Sequence, residues 1–203
     1  MNINLYDFDN TIYKGDSSTD FFFWCAMRYP SIYLNIPKIL FISLRNSFKL
    51  VHMIINYCIK HKFNVISKTE MKEEIFRFVK KVPDIDKEVK NFWEEHRCFI
   101  KDFYLEKDHK NDVIISASPE FLLEGICAEL KVKKLIGSKV NKKTGNFIGK
   151  NCHGEEKVKR LKKEYEEFKV KESYSDSKSD IPILKLAKKA FYVKGDKIIP
   201  TKF

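Results

Sequence analysis

Two aspartates one residue apart close an apolar run near the start of the chain. In LYDFDNTIYKGDSS, which begins at Leu5, Asp7 and Asp9 follow what reads as a buried strand, and Thr11 comes two places later. Paired carboxylates there repel each other and are costly to desolvate unless positive charge lies between them, so the stretch asks for a cation. The spacing also suits joint action, because alternate residues of an extended segment point the same way and both carboxylates can reach one substrate. Three further segments supply groups suited to phosphate: Ser116 in NDVIISASPE, the helix start from Gly154 to Lys157 in NCHGEEKVKRL, and Asp176 with Asp180 in SDSKSD. If each follows a parallel strand, all four converge on one crevice. Singly they carry little, since a D-x-D occurs in many loops and acidic residues at helix starts complement the helix dipole.

The elements that must position these groups are legible in outline. Residues 2–6 (NINLY) form a short strand, with the acidic pair at its carboxyl end. From Ser17 to about Phe103 the pattern changes to long apolar and aromatic helices: SSTDFFFWCAMRYP, SIYLNIPKILFISLRNSFKLVHMIINYCIKHKF, SKTEMKEEIFRFVKK and DIDKEVKNFWEEHRCFIKDFYLEK. Ser67 with Glu70 makes a capping box for the third of these. Val113 to Ile115 then reads as a strand that turns at Ser116–Pro119 into a helix, with Ser118 as its cap and Pro119 at its first position. KKLIGSKV and GNFIGK suggest a strand and a hairpin, and a basic helix spans Gly154 to Phe168. FKVKESYSDSKSDIPILKLAKKA reads as strand, acidic turn and helix, and AFYVKGDKIIP as a last strand and tail. Strands alternating with helices predict an α/β fold with a parallel sheet, interrupted after its first strand by a helical lid. The expected division is a discontinuous core, residues 1–15 and 104–203, and a helical insertion, residues 16–103.

Composition narrows the function classes. At 203 residues the chain can bury a core without disulfides, and its five cysteines (Cys25, Cys58, Cys98, Cys127, Cys152) are scattered and never spaced as C-x-x-C. They read as reduced thiols of a cytoplasmic protein. The start of the chain carries a strand and an acidic motif where a secretory leader needs a basic and then an apolar segment. A formal charge of +11 invites a nucleic-acid reading, but only five of the 39 basic residues are Arg and the lysines are interspersed with Glu and Asp. That argues for solvated helix faces and against a nucleic-acid partner. The apolar stretch from Ser31 to Ile59 is interrupted by Lys38, Arg45 and Lys49, leaving less than the roughly 18 to 20 uncharged residues that span a bilayer. Two readings of it stay open: helices forming the lid's own core, or an interfacial helix giving the lid a peripheral membrane contact.

Taken in order, DFDNT, IISAS, a lysine and SDSKSD resemble the four motifs of the haloacid dehalogenase superfamily. The helical block after the first motif is similar to the phosphoserine-phosphatase-like branch. The resemblance spans essentially the whole chain and implies a Rossmann-like parallel-sheet core with an inserted all-α cap. It implies a Mg²⁺-dependent phosphomonoesterase working through an aspartyl-phosphate. Asp7 would be the nucleophile, Asp9 the general acid and then base, and Ser116 with the backbone of Ala117 would hold the phosphoryl oxygens. A lysine would offset their charge. Lys157 fits as a permanent cation, while alignment on the adjacent Gly-Glu would put His153 there instead. Asp7, the backbone carbonyl of Asp9 and Asp176 would hold Mg²⁺, with Thr11 stabilising the loop and Asp180 orienting Lys157 or metal-bound water. Asp16 falls where relatives keep an acidic residue for a substrate amine, yet it also suits a helix N-terminus. The aromatic run Phe21–Trp24 could roof an apolar pocket or simply fill the lid.

An amine-bearing phosphomonoester and a lipid-linked phosphate therefore both remain as substrates. A phosphotransferase, or a non-catalytic phosphate-binding module, would use the same groups, and Asp9 discriminates a phosphatase from the module, which needs no acid/base carboxylate two residues after the phosphorylated one. Lid flexing about residues 11–17 and roughly 103–111 is the expected gate. Neither the oligomeric state nor the chemistry of the leaving group is written in these motifs.

Overall fold

The computed structural model describes residues 1–35 and 75–203. The second predicted helix beyond Asn35, the Ser67–Glu70 capping box and the interfacial-helix reading lie outside the described residues. Along the described chain the elements are β1 (Asn2–Tyr6), α1 (Ser17–Arg28), α2 (Ile85–His96), α3 (Asp102–Leu105), β2 (Asp112–Pro119), α4 (Glu120–Glu129) and β3 (Lys134–Ser138). They continue with α5 (Glu155–Glu164), β4 (Lys169–Ser175), α6 (Ile181–Leu184), β5 (Ala187–Lys194) and β6 (Lys197–Thr201). The six strands form one sheet in the order β3-β2-β1-β4-β5-β6, parallel throughout except for the final β5–β6 pair. This is the expected Rossmann-like α/β core.

Strand alternation sorts the core into two faces. Ile3 and Leu5 of β1, with Val113 and Ile115 of β2, pack on one side with Leu161 of α5 and Ile183 of α6. Tyr6 and Ile114 point the other way, into a cluster shared with Leu122 of α4 and with Phe21, Trp24 and Phe92 of the inserted segment. Tyr6, Tyr174 and Phe191, on three adjacent strands, stack with ring centroids 4.6 and 4.7 Å apart. That row ties β1, β4 and β5 together at the level where the chain leaves the sheet towards the predicted motifs.

Within the inserted segment, Phe21, Phe22 and Trp24 are buried while Phe23 is 52% exposed, so three of the four aromatics serve packing. Phe92 is fully buried, with rings of Phe21, Trp24 and Trp93 at 5.4, 5.9 and 4.9 Å. Trp93 donates its indole N–H to the Leu122 carbonyl at 2.6 Å and meets Phe8 and Tyr13 edge-on, joining α2 to the core side.

Four local expectations are corrected. The helix read from Asp84 to Lys107 breaks at Phe99–Lys101, because Ile100 pairs with Tyr13 and the backbone bonds Lys14 N–H to Phe99 O and Lys101 N–H to Ile12 O cross there. Ser118 does not cap α4; the cap position is Pro119 and no side chain satisfies it. The tail is a hairpin, β5 turning through Gly195 (φ 60°) into β6, which the short run after Lys194 concealed. The basic helix ends at Glu164 rather than running on to Phe168.

Removing the ring at Phe92 leaves a cavity that surrounding aromatics cannot collapse into. Phe92→Ala is expected to cost about 3–5 kcal/mol, read as a lower urea midpoint with an unchanged slope.

Candidate active site

Parallel register brings the motifs together. Tyr6 pairs with Ile114 on one side and Tyr174 on the other, so Asp7, Ser116 and Asp176 each lie within two residues beyond a single row of the sheet. Asp7 is fixed by its N–H bond to the Tyr174 carbonyl at 3.0 Å. Thr11 is fully buried and its hydroxyl accepts the Asp176 N–H at 3.0 Å, tying the first acidic loop to the one that carries Asp176. Asn10 turns the chain with a positive φ of 56°, a conformation Asn tolerates better than most residues.

Lys157, one of the two candidate cations, meets the Asp7 and Asp180 carboxylates directly. It lies on the first turn of α5, one turn before Leu161 on the same buried face, and is only 2% exposed. Its ammonium donates to Asp7 Oδ1 at 2.8 Å and Asp180 Oδ2 at 2.6 Å. His153 is exposed, just before Gly154, which starts the helix with a φ of 57°. Asp180 is buried, also accepts the Ser175 hydroxyl at 2.8 Å, and leaves Oδ1 without a partner.

The charge balance is uneven. Burial would lower the Lys157 ammonium, but Asp7 and Asp180 outweigh it and keep it firmly charged. The Asp7 carboxyl stands raised to about 7: burial pushes it up most, Lys157 pulls it down, and the charges of Asp180 and Asp9 add to the rise. Asp176 is raised by burial as well, and then by the charge of Asp180. Three carboxylates thus share one ammonium, and the excess is met by a proton or by a metal cation.

The donor set suits a hard cation: the Asp7 and Asp176 carboxylates, with the Asp9 backbone carbonyl. Among the described residues no three His, Cys, Asp or Glu side chains converge as a metal cage. Two carboxylates with a carbonyl are instead the partial set with which Mg²⁺ keeps waters and takes up phosphate oxygens.

Asp9 is held from both sides. Its Oδ1 accepts the Ser17 N–H at the start of α1 at 2.8 Å, and its Oδ2 accepts the Ser118 hydroxyl at 2.5 Å. Ser118 in turn meets the Ser18 hydroxyl at 2.8 Å and the Ser17 hydroxyl at 3.3 Å. Burial, and after it the charge of Asp16, raise the Asp9 carboxyl, while these donors pull it back. Ser116 is buried and accepts the Ser118 N–H at 3.0 Å, and Ala117 between them is half-buried. Asp16 caps α1 by accepting the Thr19 N–H at 2.8 Å, the N-terminal alternative weighed from the sequence.

Sequence reasoning missed Ser17, Ser18 and Ser118 as site residues. The S-A-S-P spelling was the available signal, since a serine there can face forward to the cap position or back to the acidic loop. It also missed Lys101, whose ammonium bonds the Asn10 and Gly195 carbonyls at 2.6 Å each.

The model of the haloacid dehalogenase-like hydrolases matches residues 5–185. No curated protein matches the chain significantly. Among solved structures it is similar to a protein of unknown function from Bordetella pertussis Tohama I, at 15% identity and a TM-score of 0.66, over 93% of this chain and 88% of that one. It is also similar to a phosphoserine phosphohydrolase-like protein from Francisella tularensis subsp. tularensis SCHU S4, at 15% identity and 0.53, over 94% and 86%. A probable phosphoserine phosphatase from Vibrio cholerae matches at 10% and 0.58, over 94% of this chain and 55% of that one. At these identities the likeness is one of fold.

Relieving the carboxylate excess is expected to stabilise the metal-free protein. In chelator, Asp7→Asn should raise the thermal midpoint by about 2–4 °C, the shift that roughly 1 kcal/mol gives a domain of this size. Added Mg²⁺ should raise the wild-type midpoint more than that of the variant.

Proposed function

We propose that this chain, which belongs to the haloacid dehalogenase-like hydrolases, is a Mg²⁺-dependent phosphomonoesterase that works through an aspartyl-phosphate on Asp7. The observation that carries the reading is the Lys157 ammonium, buried and divided between Asp7 and Asp180. A nucleophilic carboxylate needs a fixed cation close by to admit a dianionic phosphate, and a lysine that is 2% exposed supplies it without reorganising.

In this mechanism an Asp7 oxygen attacks phosphorus in line, forming the acyl-phosphate bond as the ester P–O bond breaks. Asp9 gives its proton to the departing oxygen, and the partial desolvation that raises its pKa favours the protonated form required. With the alcohol gone, Asp9 as carboxylate takes a proton from water, whose oxygen attacks phosphorus and releases phosphate from Asp7. Ser116 and the Ala117 N–H bind phosphoryl oxygens, and Lys157 holds Asp7 and the phosphoryl group in register. Asp7, Asp176 and the Asp9 carbonyl would hold Mg²⁺, which when bound neutralises charge on the transferring group and aligns it for attack. Thr11 keeps Asp176 against the first loop, and Asp180 orients Lys157.

Residues 16–103 act as a helical cap over a core of residues 1–15 and 104–203. The bond from Ser17 N–H to Asp9 supports this reading, since it ties the start of the insertion to the proton carrier. A cap resting on Asp9 would exclude water until the leaving group has gone. The substrate is a small phosphate monoester. Asp16 is engaged as a helix cap, which favours no amine in particular. No helix among the described residues is long and apolar enough to cross a membrane.

Phosphate release should be measured across phosphoserine, phosphocholine-type amines, sugar phosphates and phosphatidylglycerophosphate. At least one ester should turn over with Mg²⁺ and stop in chelator. Asp7→Asn should abolish release, and Asp9→Asn should slow it about 10²–10⁴-fold. Turnover that survives Asp7→Asn would sink the covalent route.

A further inference from the structure

Beside the catalytic groups lies a cavity of about 490 Å³, bounded by Asn10 and Lys14 of the first loop, Asp176, Lys101 and the β5–β6 turn. Its volume is that of a ligand pocket, well beyond what a few ordered waters need. Asp176 forms one wall, so the cavity and the proposed phosphate position share a carboxylate.

Lys101 is the unusual residue of this cavity. It is 3% exposed, yet its only close partners are the neutral carbonyls of Asn10 and Gly195. Among the described residues no carboxylate lies within 4.0 Å of its ammonium. Buried charges in proteins are ordinarily paired, and this one is not. An ammonium carries three N–H donors, so two carbonyls leave one for a ligand. Burial lowers its affinity for a proton, against the more distant pull of Asp196 and Asp176, as expected for a cation waiting for a counter-charge. Lys194 lies exposed on the rim, and Lys14 is only loosely engaged, its ammonium 3.8 Å from an exposed Asp196. Three ammonium groups against Asp176 and Asp196 leave the cavity positive.

We infer that this cavity is an anion subsite, with Lys101 as its buried counter-charge, for a second anionic group on a substrate whose phosphate sits at Asp7. The inference rests on the phosphatase reading and deepens it: the substrate class becomes phosphate monoesters that also bear a carboxylate or a further phosphate. Backbone position supports the role. Lys101 N–H bonds the Ile12 carbonyl at 2.8 Å and its side chain bonds the Asn10 carbonyl, so an occupant would pull on the same loop that carries Asp9. Lys101 would then be a specificity-determining residue that senses the far end of the substrate.

The test compares a graded series of ω-carboxyalkyl phosphates with the uncharged alkyl phosphates of equal length, in Mg²⁺. Wild type should prefer the carboxylated ester about tenfold or more in kcat/KM at one chain length, mainly through KM, as a buried ion pair would give. Lys194→Glu should cut that preference severalfold. Lys101→Met should erase it, and Lys101→Arg should restore part of it. Should Lys101→Met fail to fold, Lys194→Glu and Lys101→Arg still decide. Equal kcat/KM at every length, or a preference untouched by Lys194→Glu and Lys101→Met, overturns the subsite. Activation of the alkyl esters by added propionate, with no preference for the carboxylated ones, overturns the substrate-borne anion in favour of a free one. If no ester in the series releases phosphate, the phosphatase reading is what has failed. Calorimetric binding of a carboxyalkyl phosphate, weakened severalfold or more in Lys194→Glu, then upholds the anion site, and equal binding by the two proteins refutes it.

Discussion

One buried ammonium among three carboxylates sets the terms for the site. Lys157 can reach Asp7 and Asp180 together only if β1 and β4 lie side by side, α5 packs on the face lined by Leu5 and Val170, and Asp180 turns back beneath the sheet end. Breaking a pair of this kind strands a charge in a poor dielectric, a penalty of about 3–5 kcal/mol, so the arrangement holds the fold to one register. It is also incomplete in charge. The excess of negative charge makes the site costly until a proton or a cation offsets it.

The parts legible in the sequence are those with one physical reading. Asp7 and Asp9 after an apolar run, and Asp176 with Asp180 after another, admit few structural explanations at strand ends. The same helix-cap rule applies to Asp16 and to Ser118, and their outcomes go opposite ways. Asp16 is a helix cap, whereas Ser118 leaves its helix uncapped and turns to Asp9. No local rule distinguishes these cases, because the decision depends on a partner 109 residues away. Permanent charge favours Lys157 over His153, and helical phase sets Lys157 on the buried face with Leu161. The break at Ile100 was invisible because helix-forming residues surround it, and its cause is a pairing with Tyr13 that only the closed fold supplies. The β5–β6 hairpin was missed for a similar reason: its turn is short, and β6 is largely exposed, without the apolar alternation that marks a half-buried strand.

Asp9 emerges as the point where the insertion and the sheet communicate. Its two oxygens are taken by groups on different sides, a backbone N–H from the first turn of α1 and a hydroxyl from the end of β2. Any displacement of α1 must lengthen one of these bonds. The protonation of this carboxyl is then coupled to the position of the helix, since both donors favour the charged form and burial opposes it. Ser17, Ser18 and Ser118 make that coupling local and short-ranged.

The chain enters the inserted segment past Tyr13 and returns at Ile100, and those two residues are paired, with backbone bonds on either side. The long excursion between them therefore leaves and rejoins the sheet at points only about one strand spacing apart. Such a junction works as a socket. Because closing a longer or shorter loop across a fixed gap changes the free energy only slowly with length, the inserted helices can be traded, extended or trimmed over evolutionary time while Asp7 and Lys157 stay where they are. The strand-end carboxylates and their lysine are thereby kept on stretches of chain separate from the excursion, free to diverge at different rates.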